Sequence, residues 1–162
     1  MKMFVGALAL VALAGCGDQG PWDGPVGTKM GVTTSQLEKY VALSKDGGAD
    51  PLGRTTYFSP QAPKNEAGAD RYSYLIGGKS GLCEVGQWFQ SINSTNSDVA
   101  KSLADKYGAP NKEAAPSWGV SWTAGEHKLD HDLESIRIKF SGEEPRISAY
   151  VKYTYKNLKD CK

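Results

Sequence analysis

The sequence predicts an α+β fold in which two helices pack on antiparallel β-sheet, the sheet being a hairpin plus a C-terminal three-strand meander. Runs of period-two alternation recur from residue 71 to residue 155, the pattern of strands buried on one face. Two segments instead carry helix caps followed by apolar residues at helical spacing. Nineteen Gly and 8 Pro among 162 residues cut the chain into short elements joined by turns. That length suits one domain, since two would each be near the lower size limit for burying a core.

The elements follow in order. Residues 17–28 hold four glycines and two prolines in twelve positions, a composition read as a tether. Within it Trp22 is an aromatic that either docks on the domain or stays idle. Thr33, Thr34 and Ser35 are candidate N-caps, Gln36 or Glu38 completes a capping box, and Leu37, Tyr40, Val41 and Ser44 share a helical face. Asp46-Gly47-Gly48 ends that helix. Residues 54–58 form a short β-prone run, and a polar loop with Pro60 and Pro63 follows. Residues 71–76 and 82–89 read as two strands of a hairpin. The second helix has caps at 95–97, Asp98 in its first turn, Val99 and Leu103 on its apolar side, Lys106 in its last turn, then Gly108 and Pro110. The meander places Trp118, Val120 and Trp122 on its first strand, Glu134, Ile136, Ile138 and Phe140 on its second, and Ile147, Ala149, Val151, Tyr153 and Tyr155 on its third.

The N-terminus supplies an address. Lys2, an apolar run over 3–13 and small residues after it have the layout of an export signal. A membrane span would need about 20 apolar residues, and this run stops at about half that. Leu13-Ala14-Gly15-Cys16 resembles the lipobox of bacterial lipoproteins. The resemblance implies cleavage before Cys16, a diacylglycerol on its thiol, and no other cofactor. The expected organisation is a signal peptide over 1–15, a lipidated cysteine and tether over 16–28, and the domain over 29–162. Gly17, rather than Asp, follows the cysteine, which points to an outer-membrane anchor facing the periplasm. With Cys16 assigned to lipid, Cys83 and Cys161 remain and are expected to pair in an oxidising periplasm. On the chain-entropy argument that bridge stabilises the fold by about 4.5 kcal/mol.

Charge excludes one class of partner. The chain has 19 basic and 18 acidic side chains, and loss of Lys2 leaves 18 of each, so no bulk field draws nucleic acid. Hydrophobic residues at 40% and a mean hydropathy of -0.45 describe a globular chain.

Catalytic patterns are weak. His127 and His131 flank Asp130 and are followed by Asp132, the most metal-like cluster. A helix would stack the two imidazoles about 6 Å apart, whereas a strand would hold them about 13 Å apart. The segment has no helix signal and reads as a hairpin connection. Gly78-Lys79-Ser80 lacks the glycine that a phosphate loop requires five places earlier, where Ser73 stands. No Gly-x-Ser-x-Gly elbow occurs. The remaining material is aromatic: Trp118 and Trp122 on one strand, and Tyr150 beside Lys152 and Lys156 on the wet face of the last. Such strips give large contact area at small entropic cost.

Gly31-Val32-Thr33-Thr34-Ser35-Gln36-Leu37 resembles the helix entry of the small BamE/SmpA-type outer-membrane lipoproteins, and Tyr107-Gly108-Ala109-Pro110 resembles their Leu-Gly-x-Pro. The resemblance implies two helices on a three-strand sheet and a role in β-barrel assembly. The extra hairpin between the helices departs from that order. The expected function is a membrane-anchored envelope protein that binds a protein partner and does not catalyse. The alternatives are an immunity or inhibitor lipoprotein, a barrel-assembly accessory, and a metal-dependent envelope enzyme centred on His127 and His131.

Overall fold

A computed structural model describes residues 19–92, 98–112, 119–143 and 147–162. Two helices, α1 (Thr34–Leu37) and α2 (Asp98–Tyr107), accompany β1 (Ser44–Asp46), β2 (Arg54–Ser59), β3 (Arg71–Gly77), β4 (Gly81–Ile92), β5 (Asn111–Lys112), β6 (Val120–Thr123), β7 (Leu133–Ser141) and β8 (Ile147–Tyr155). All eight strands join one antiparallel sheet in the order β1-β2-β3-β4-β8-β7-β6-β5, with two-residue β5 at one edge. The first four strands pair in sequence order, so do the last four, and β4 against β8 joins the halves.

Period-two alternation decides which side is core. Tyr72, Tyr74 and Ile76 of β3, Val85, Gln87 and Phe89 of β4, Ala149, Val151, Tyr153 and Tyr155 of β8, and Ile136 and Ile138 of β7 are all buried. Over this inner face α2 packs Val99, Ala100, Leu103, Ala104 and Tyr107. Asp98 and Lys106 complement its dipole, and Gly108 at φ +87 returns its N–H to the Ala104 carbonyl as a left-handed C-cap. Its expected caps at 95–97 lie outside the described residues. Among the described residues, no helix is long and apolar enough to cross a membrane.

The first helix is shorter than its pattern predicts. Thr33 and Gln36 form the full capping box, yet regular helix ends at Leu37, and Ser44, expected on the helical face, begins β1. Leu37 and Val41 are already buried after one turn. The chain beyond them instead pairs with the edge of β2, Lys45 opposite Tyr57, so strand pairing overrides local propensity.

The segment expected as a tether is also structured, from Gly20 onward. Trp22, Val26 and Thr28 are buried, Trp22 meets Tyr40 edge-on at 5.6 Å, and Thr28 shares a 2.9 Å hydrogen bond with the Tyr155 hydroxyl. Glycine makes this possible. Gly27 at φ +74 lets its carbonyl accept the Trp22 N–H, closing a tight loop that composition alone reads as irregular. The domain therefore includes residues 20–28.

Cys83 and Cys161 are bonded, across 78 residues of sequence. The bridge ties the chain after β8 to the start of β4. Asn157 donates to the carbonyls of Ser80 and Leu82, and Lys79 donates to that of Lys162.

Candidate functional site

The sheet's outer face carries the candidate site. Strand register sets Arg71, Trp88, Tyr150 and Lys139 side by side across β3, β4, β8 and β7. The next row runs Phe58, Ser73, Gly86, Lys152, Arg137. Trp88 and Tyr150 overlap at a centroid distance of 4.3 Å, and Phe58 lies 5.8 Å from Trp88. The Arg71 guanidinium bridges two rings, 4.6 Å from the centroids of both Phe58 and Trp88. That geometry gives cation–π attraction to both while leaving the arginine exposed.

Tyr150 can lie flat because its cross-strand diagonal neighbour is Gly86. A Cβ there would sit 2.5 Å from both the Tyr150 ring and its hydroxyl, and 2.5 Å from the Ser73 hydroxyl. An aromatic ring covering a glycine on a neighbouring strand is a known device for protecting weak sheet positions. Burial raises the Tyr150 phenol to about 12, while the Ser73 hydrogen bond pulls the other way. Gly86→Ala must push Tyr150 off the sheet. The expected cost is about 1–3 kcal/mol in urea unfolding, with a change in tryptophan fluorescence as Trp88 loses its stacked partner; an unchanged midpoint and spectrum would contradict this packing.

Charge on the face is one-sided although the chain is almost neutral. Arg71, Arg137, Lys139 and Lys152 stand on these two rows, with the acids Glu84 and Asp46 one row further. Glu84 pairs with Lys152 at 3.4 Å, both about four-fifths buried. The arrangement is a flat, half-buried aromatic strip in a basic surround, suited to gripping an acidic surface.

The expected site residues separate. Tyr150 and Lys152 belong to this face. Lys156 does not: β8 ends at Tyr155, and Lys156 begins a 3-10 turn, its ammonium 4.0 Å from Asp132. Trp122 is fully buried on the inner face, its indole N–H donating to the Gly108 carbonyl at 2.8 Å, so it is core and not contact surface. Its cross-strand neighbour on β7 is the equally buried Ile136. Trp118 and Cys16 lie outside the described residues. Phe58, Arg71 and Trp88 were missed, because they become neighbours only through strand register.

The histidines engage different partners. His127 Nε2 donates to the Ala109 carbonyl at 3.0 Å, whereas His131 Nδ1 lies 3.7 Å from an Asp23 carboxylate oxygen. Among the described residues, no group of three or more His, Cys, Asp or Glu side chains is placed to hold a metal ion. The chain matches no protein-family model, no curated protein and no solved structure.

Proposed function

We propose that this is a non-catalytic binding protein of the bacterial envelope, lipid-anchored through Cys16 at the outer membrane and facing the periplasm, that grips an acidic protein surface with its outer sheet face. The observation that carries the reading is the Phe58–Arg71–Trp88–Tyr150 cluster, four large side chains aligned on a face that no described helix covers. Aromatic and arginine side chains of this kind dominate binding energy at protein interfaces. The lipobox supports the anchor and the disulfide suits an oxidising compartment.

Crosslinking in native membranes tests it. The wild type is expected to capture a stable partner, Cys16→Ala to capture much less, and the double variant Arg71→Glu/Lys139→Glu to lose the partner while still folding, its melting temperature lowered only by the loss of two exposed cation–π contacts. Capture that survives the double variant would rule out this face. If the partner is an exported toxin or hydrolase that the protein silences, the same surface serves an immunity function.

A further inference from the structure

A second site lies on the opposite side of the sheet. Between α2, the loop at 64–67 and the N-terminal segment at 23–26 is a cleft of about 450 Å³, floored by Phe89 and Tyr153. That volume falls within the ordinary range for small-molecule sites.

Four tyrosines stand on the inner face. Tyr72 accepts from the Glu66 N–H, Tyr74 donates to the Gln61 carbonyl, and Tyr155 is bonded to Thr28. Tyr153 is only 4% exposed and lines the cleft. Beside it, Glu66 is held in place from below: the fully buried Gln87 donates its amide to one carboxylate oxygen at 3.1 Å.

The surrounding charge selects the sign of a ligand. Asp23, Glu66 and Asp98 line the cleft against Lys64 and Lys106. Lys106 is already engaged, 3.3 Å from Asp130 and 4.8 Å from the Tyr107 ring centroid. Asp23 is engaged too, 3.7 Å from His131 Nδ1, and with both set aside Glu66 and Asp98 outnumber Lys64 while the walls are aromatic. An anion would meet repulsion, while an ammonium ion finds both.

We propose that this cleft binds a small organic ammonium ion, its apolar body against Phe89 and Leu103 and its N–H groups on Glu66 and the Tyr153 hydroxyl. The test is calorimetric titration of the folded protein with 2-phenylethylammonium, with phenylacetate as the isosteric anion. The ammonium probe is expected to bind at millimolar concentration or below, and phenylacetate about tenfold more weakly or not at all. Glu66→Gln is expected to weaken the probe about fivefold or more at unchanged melting temperature, because that residue is exposed. Tyr153→Phe is expected to weaken it too, since it removes the proposed hydroxyl contact while keeping the ring. Equal binding of the two probes, no binding of the ammonium at millimolar concentration, or indifference to both substitutions would each overturn the proposal.

Discussion

Raising the pH above about 10 is expected to unfold the protein cooperatively, while the range below should leave its stability flat as far as tyrosine is concerned. Burial raises the phenols of Tyr74 and Tyr155 above their ordinary value, and both are fully buried. A phenol is neutral when protonated, so the folded state keeps protons that the unfolded chain begins to release near pH 10. Stability is then complete below that value and falls as pH rises toward the folded-state values. Each phenol contributes a slope of about 1.4 kcal/mol per pH unit, so the two together remove about 3 kcal/mol per unit. A typical domain stability of about 5–15 kcal/mol is largely consumed within two or three units. Phenolate absorbance at 295 nm should rise in one step with the loss of far-ultraviolet circular dichroism. Gradual titration near pH 10 with the fold intact would mean that these hydroxyls are not sealed in the core.

Replacing both Cys83 and Cys161 by serine is expected to lower stability by about 4.5 kcal/mol, close to the loop-entropy value for the 78-residue separation. The loss should be read as a lower urea midpoint, and dithiothreitol should reproduce it in the wild type. The effect has a local part as well. Without the bridge, the contacts of Asn157 with Ser80 and Leu82 and of Lys79 with Lys162 must hold the C-terminal turn alone. Faster amide exchange at 157–162 than in β8 is expected in the serine variant. A midpoint unaffected by reductant would show that these contacts are sufficient.

Both expectations depend on a core that was largely visible in the amino-acid order. Alternation marked 71–76 and 82–89 as strands and grouped the shared faces of 134–140 and 147–155, because a half-buried strand leaves that trace whatever its partner; Glu134, grouped with Ile136, is instead exposed where the register shifts between Leu133 and Ser135. Helix α2 was legible for the same reason: Asp98, Lys106 and Gly108 each act within a turn of their own position. Helix α1 was over-extended, since nothing local to Ser44 reveals that the edge of β2 waits for it. The 20–28 segment was misread because four glycines suggest freedom, whereas Gly27 uses that freedom to make one tight loop. The candidate site was half legible. Tyr150 and Lys152 were found from their place on the last strand, but Phe58, Arg71 and Trp88 come from two other strands, and only the pairing of β2 with β3 and β3 with β4 brings them together. Trp122, offered as contact surface, lies in the core beside Ile136, a placement that its own strand does not reveal.

The folded N-terminal segment also sets a length. Gly20 is already fixed to the domain through the Tyr40 hydroxyl, so if Cys16 carries the proposed lipid only residues 17–19 lie between it and the folded body. Fully extended, the four steps from Cys16 to Gly20 reach about 14 Å, against about 43 Å for the twelve steps of a leash ending at residue 28. An acylated protein would then ride close against the headgroups, able to turn and tilt but not to sweep the periplasm. Its encounters would be two-dimensional, confined to partners whose acidic surface lies within a few nanometres of the same leaflet.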